Sequence, residues 1–183
     1  MRNINKIKIF SNHTESSKPI EEELIKLLQE NNFELSEDFD LGIAIGGDGS
    51  FLKMVKQANF NTNPYYIGIN TGTLGFLQEI KPDKLNEFIE SLNQNNYKFD
   101  EIGVLETTIT QNEQNKKYYS LNELVMRDLN LSVFKSEIFV DNVKLENITK
   151  IECAVKDKKL KFLRMKEYEF INIVNEKFIS NKE

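Results

Sequence analysis

The chain has one cysteine, one histidine and three prolines in 183 residues. A single cysteine excludes an internal disulfide framework and a cysteine-based zinc site. No apolar run approaches the roughly 18 residues that cross a bilayer as a helix. The opening Met1-Arg2-Asn3-Ile4-Asn5-Lys6 does not lead into the apolar stretch of a signal peptide. A soluble, cytoplasmic protein is expected. Basic residues are not in surplus: 24 Lys and Arg stand against 29 Asp and Glu, a net charge of −5. That balance argues against a dedicated nucleic-acid binder. Scarce proline, with 10% aromatic and 39% hydrophobic residues, excludes a disordered tail and suffices for a packed core. Two common phosphate motifs are also absent: there is no G-x-x-x-x-G-K-[ST], and Gly42 with the 46–49 cluster does not spell G-x-G-x-x-G.

What is present is an alternation of short apolar runs and helical patterns. Lys6–Phe10 alternates polar and apolar and reads as a strand. Pro19 followed by Glu21, Glu22 and Glu23 suits a first helical turn, and Ile20, Leu24, Leu27 and Leu28 share a helical face. Leu41–Ile45 is a continuous apolar run of strand length, and Tyr65–Asn70 is the next. A helical pattern begins at Phe51, and another at Pro82 with Leu85, Phe88, Ile89 and Leu92 in step. Such alternation predicts an α/β domain, a parallel sheet with helices on both faces, over residues 1–96. Beyond that, Val104–Thr110, Tyr118–Arg127, Phe134–Val140, Ile148–Val155 and Leu160–Arg164 read as strands with polar turns. Residues 97–183 are therefore predicted as a smaller, mainly antiparallel β region, closed by a helix over Tyr168–Phe178.

The sharpest local feature is Gly46-Gly47-Asp48-Gly49-Ser50, between a buried strand and a helix. Its glycines let backbone turn tightly and approach a ligand, and turn amides ahead of a helix suit an anion. A carboxylate beside phosphates needs a task. Asp48 could accept a hydrogen bond from an attacking hydroxyl or act through Mg²⁺. Equally, the segment could be a plain tight turn in which Asp48 caps the helix. Asn70-Thr71-Gly72-Thr73-Leu74-Gly75-Phe76 ends the next strand and belongs on the same carboxyl edge, where open α/β sheets bind ligands. Phe76 could lie on a base ring, or simply pack in the core. Asn122 and Glu123, in a strand-like segment, could grip a ribose diol or merely be solvated.

In order and separation, G-G-D-G-S, then G-I-N-T-G-T-L-G-F, then L-N-E-L-V resemble NAD kinases. Gly-Gly-Asp-Gly alone is shared with diacylglycerol kinase-like and phosphofructokinase-like proteins. The 70–76 block is far more specific. The resemblance implies an α/β domain and a β-rich domain. It also implies phosphoryl transfer from ATP or polyphosphate, with Mg²⁺, to the adenosine ribose 2′-hydroxyl of NAD. Asp48 matches the catalytic aspartate. Gly46, Gly47 and Gly49, with Ser50 next in the motif, match the phosphate turn. Phe76 matches the aromatic residue beside the adenine, and Asn122 and Glu123 match the pair that binds NAD. No resident metal site is implied.

One departure stands out. Family members are usually longer and carry, after the Asn-Glu pair, a D-G segment and T-P-[TS]-G-[ST]-T-A-Y. Here the chain passes from about Val140–Glu146 to a stretch, Ile148–Ser180, like the family's ending. A shortened β region leaves sheet edges to cover, so a homo-oligomer is expected. Two rival readings stay open: a nucleotide-binding relative without turnover, and a Gly-Gly-Asp-Gly kinase of a lipid or sugar. Other features are read blandly: His13 as a surface residue, Cys153 as a buried small hydrophobe, and the basic run Lys156–Lys166 as a solvated hairpin turn. The aromatic stripe Tyr168, Phe170 and Phe178 is read as packing.

Overall fold

The computed structural model describes residues 3–72, 75–124, 126–127, 137–140, 143–145, 148–166 and 169. The chain forms two compact units, one of Met1–Ile102 with Leu160–Glu183, the other Gly103–Lys159. The expected helix over Tyr168–Phe178 lies outside the described residues.

In the first unit, β1 (Lys6–Ser11), β3 (Leu41–Gly46) and β4 (Tyr65–Asn70) are parallel neighbours, with the two-residue β2 (Glu34–Leu35) beyond β1. Helices α1 (Lys18–Glu30), α2 (Asp48–Gln57) and α3 (Leu85–Asn93) provide the crossovers, the last entered through a 3₁₀ turn at Pro82–Lys84. Side chains alternate across a strand. Leu41, Ile43, Ile45, Ile67 and Ile69 share one buried cluster with Leu24 and Leu28 of α1 and Phe88, Ile89 and Leu92 of α3. The opposite face carries Gly42, Ala44 and Tyr66. There a Cβ on Gly42 would sit 3.2 Å from the Met54 sulfur of α2. Small residues on that face let α2 lie close, while large ones on the other fill the space under two helices. The sheet is thus covered on both faces, as the alternation predicts. Phe88 is fully buried, so Phe88→Ala is expected to lower stability by about 3–5 kcal/mol, read by urea unfolding.

Two features of this unit escape a local reading. The short β2 was not expected at all. More important, the final strand β10 (Ile148–Met165) returns to the first unit, where Lys161 and Phe162 pair in parallel with Tyr65 and Tyr66 of β4. Phe162 meets Phe51 of α2 edge-on, with ring centroids 4.8 Å apart.

The second unit is built of strands. From Gly103 onward, β5 (Tyr97–Gln111) folds back on β6 (Gln114–Ser120) as an antiparallel hairpin. Its two-residue loop, Asn112-Glu113, has both φ positive, at 47° and 63°. That geometry matches the right-handed twist of the strands it joins. A separate antiparallel sheet holds β7 (Met126–Arg127), β8 (Glu137–Val140) and β9 (Val143–Leu145).

Three expectations need correction here. Tyr118–Arg127 is not one strand: the ladder with β5 ends at Leu105 opposite Ser120, and β7 belongs to another sheet. The basic run is not a hairpin turn, because Ile148–Met165 is one unbroken strand. Charged strand residues only need solvent on their own side. Lys156 lies 3.9 Å from Glu106, and Lys158 stands 4.4 Å over the Tyr119 ring. Cys153 is exposed rather than buried. Val155, two residues on, is 68% exposed as well.

Candidate active site

Parallel register sets the ends of three strands side by side. Ser11 pairs with Ile45, and Gly46 with Asn70. The loops that follow β1, β3 and β4 therefore share the carboxyl edge of the sheet.

Gly46 closes β3 at φ +145°, and a Cβ there would lie 2.2 Å from Ser50 Oγ. Only glycine suits that position. Gly47 is the N-cap of α2 and supplies no side-chain cap. Its carbonyl accepts the amides of Ser50 at 2.9 Å and Phe51 at 3.3 Å. Gly47 and Gly49 are exposed, and a Cβ on either would meet nothing within 4 Å. Their lack of a side chain is not demanded by the protein's own packing. Among the described residues, no protein group accepts the amides of Gly47, Asp48 or Gly49. Three donors at the positive end of a helix dipole are thus left without an acceptor among the described residues.

Asp48 is the first residue of α2 and does not cap it. Its carboxylate reaches across to the next loop, where Oδ2 accepts the Phe76 amide and Oδ1 the Leu77 amide, each at 2.9 Å. Close approach is possible because residue 75 is glycine: a Cβ there would sit 2.2 Å from Oδ1. A carboxylate has about four lone-pair directions, so each oxygen keeps capacity for another donor. Asp48 is half-buried.

Sequence reading passed over Gln78 and Glu79, and read Arg164 only as part of the basic run. Gln78 is 1% exposed, and its Nε2 donates to the Gly47 carbonyl at 2.6 Å. Its Oε1 is buried and has no partner among the described residues. Leaving such an atom unpaired costs on the order of 1–3 kcal/mol. The amide packs against Gly68, where a Cβ would be 1.7 Å from Oε1. A glycine inside a strand hints at such an approach. No other local signal points to Gln78. Glu79 accepts the Met165 amide at 2.6 Å and lies 3.4 Å from Arg164 Nη1, which is also buried. Arg164 Nε donates to Asp100 at 3.0 Å. Burial raises the Glu79 carboxyl to about 7, against the lowering pull of the Met165 amide and Arg164.

The structure thus brings Gly46, Gly47, Asp48, Gly49, Ser50 and the backbone of Phe76 together in one corner of the first unit. Asn122 and Glu123 belong to the second unit, follow β6, and are exposed in a non-strand segment. His13 is 72% exposed, with Nδ1 3.3 Å from Glu21. No group of three or more His, Cys, Asp or Glu side chains suited to a metal occurs among the described residues. No helix there is long and apolar enough to cross a membrane.

The sheet and this corner belong to an open α/β class of protein in which strand-end glycine turns commonly hold phosphate groups. Comparison with known proteins narrows the class. The family model of the ATP-NAD kinase N-terminal domain matches residues 4–97. The chain belongs to the NAD kinase family. It is 36% identical over 126 residues to NAD kinase of Finegoldia magna, a match covering 66% of this chain and 46% of that protein. NAD kinase of Bacteroides fragilis is 40% identical over 100 residues, covering 55% and 33%. NAD kinase 2 of Halalkalibacterium halodurans is 26% identical over 149 residues, covering 80% and 55%. The chain therefore spans about half, or less, of the length of these relatives. A crystal structure of yeast NADH kinase complexed with NADH shares the fold, with TM-score 0.69 and 14% identity over 100% of this chain and 90% of that one.

Proposed function

We propose that the chain is an NAD kinase, moving the terminal phosphoryl group of ATP (or polyphosphate) to the 2′-hydroxyl of the adenosine ribose of NAD. The observation that carries this reading is the corner itself: three amides without a partner among the described residues, beside a carboxylate already held in place by two others. The Gly47, Asp48 and Gly49 amides would hold phosphate oxygens. Asp48, with lone pairs to spare, would accept the hydrogen bond of the attacking hydroxyl and then its proton. A new P–O bond forms, the bond to the leaving phosphate breaks, and ADP departs with that electron pair. Mg²⁺ is assigned to the nucleotide: Asp48 offers one carboxylate, and phosphate oxygens and water would supply the other ligands.

In this reading residues 1–96 hold the phosphates and residues 97–183 carry the NAD contacts of Asn122 and Glu123. The Phe76 ring is assigned to the adenine. The protein acts in the cytoplasm, as a homo-oligomer whose partner copy covers sheet edges. Purified protein with NAD, ATP and Mg²⁺ is expected to form NADP. No NADP with either donor would overturn the kinase reading.

One observation favours a second reading. The matched relatives are roughly one and a half times as long as this chain, and no T-P-[TS]-G-[ST]-T-A-Y segment occurs here. A nucleotide-binding relative without turnover fits that shortening, and calorimetry showing NAD binding without NADP formation would support it. A panel of lipid and sugar acceptors with labelled ATP tests the remaining alternative. Gly49 separates ligand roles from packing roles. Gly49→Ala is expected to fold with stability within about 1 kcal/mol of the parent, since its Cβ meets no protein atom. Calorimetry should nevertheless show weaker ATP binding, because the methyl group enters the space assigned to phosphate.

A further inference from the structure

Gln78 stands behind the glycine turn rather than in front of it. It is buried, yet its amide oxygen has no partner among the described residues. A methionine or leucine would fill the same space without that penalty. Among the described residues the Gln78 side chain makes one hydrogen bond, to the Gly47 carbonyl. That contact has a directional consequence. A peptide unit is planar and trans, so the Gly47 carbonyl and the Asp48 N–H point in opposite directions. Anchoring the oxygen to a buried side chain turns the Asp48 N–H outward. The Ser50 and Phe51 amides hold the same oxygen from within the helix, and Gln78 adds a third donor from outside it. The same segment, residues 76–78, also holds both Asp48 carboxylate oxygens through the Phe76 and Leu77 amides.

We propose that Gln78 is a positioning residue for the phosphate turn, donating to the Gly47 carbonyl so that the Asp48 amide is aimed at a bound polyphosphate. This rests on the phosphate-binding part of the reading above and does not require turnover.

The test uses the full chain, inorganic tripolyphosphate as probe, and calorimetry, with a thermal melt of each variant. Gln78→Met keeps the volume and removes the donor. It is expected to melt near the parent, because the Gly47 carbonyl keeps its two helical donors. Its tripolyphosphate affinity is expected to fall roughly three- to tenfold, the worth of one hydrogen bond. Gln78→Glu supplies the readout that packing alone would not move. Protonated, its carboxyl can donate to the Gly47 oxygen; ionised, it repels it. Burial raises a carboxyl at this position above its ordinary range, so relative to the parent at the same pH its affinity should improve as the pH is lowered. Should Gln78→Met melt far below the parent, that pH ratio carries the test. Parental affinity in Gln78→Met, or no pH dependence and reduced affinity throughout in Gln78→Glu, overturns the positioning role. A parent chain that binds no tripolyphosphate overturns it together with the phosphate site. A parent that binds tripolyphosphate and makes no NADP, with the loss seen in Gln78→Met, supports the positioning role and removes the kinase.

Discussion

Asp48→Asn is expected to lower NADP formation by about 10²–10⁴, the usual worth of a positioned proton acceptor. The argument is geometric. Both Asp48 oxygens already accept amide hydrogens from Phe76 and Leu77. An asparagine can accept only one of the two, and its own NH₂ would face the other amide. The substitution thus removes the proposed proton acceptor and strains the contact between two loops. Losing one such bond costs on the order of 1–3 kcal/mol, so the fold should survive. Initial rates of NADP formation, with circular dichroism and a urea titration, read both effects. Tripolyphosphate affinity should persist, because the turn amides are main-chain groups. Undiminished NADP formation in the variant would remove Asp48 from the reaction.

The second large effect is on stability and depends on pH. Arg164 and Glu79 are buried together, and Arg164→Met leaves a carboxyl without its guanidinium. Breaking a buried pair from one side costs about 3–5 kcal/mol when the remaining group is charged. Here the charge is conditional. The folded Glu79 carboxyl titrates at about 7, above its ordinary 4.5, chiefly because of burial. The folded state therefore holds a proton that the unfolded chain gives up between those two values. The stability that goes with this proton is full below about pH 4.5 and is lost as pH rises through about 7. Urea unfolding of the parent should show Glu79 contributing on the order of 2–3 kcal/mol less at pH 8 than at pH 5. Glu79→Gln should flatten that trend. Arg164→Met should be strongly destabilising at pH 8 and milder at pH 5, where Glu79 is neutral. Equal losses at both pH values would show that the pair does not titrate as described.

The relation of motif to geometry explains why one corner was readable and its support was not. A helix phase, an apolar run of strand length and a glycine cluster are local properties. Leu85, Phe88, Ile89 and Leu92 carry α3 in their spacing alone, and they are buried as that spacing requires. The parallel order of β1, β3 and β4 follows from helices between them, because a crossover connection leaves little other choice. Gly46 had to be glycine for its φ alone. The hairpin of β5 and β6 was half legible: the apolar stretch from Val104 showed, while Gln114–Lys117 carried no alternation. Those polar residues extend through main-chain pairing, which side-chain patterns do not record.

Periodicity was enough to predict an α/β sheet with a glycine turn at its edge, and the ordered motifs carried the resemblance to the family that the family model then showed. Folding alone decided that β10 returns beside β4, that Arg164 meets Glu79 across 85 positions, and that Asp48 binds the loop 28 residues on. It also placed Gln78 under Gly47, 31 residues away. Each of these joins segments distant along the chain through one or two hydrogen bonds. Such contacts leave no period in a sequence, because only the packed sheet brings their two halves within reach.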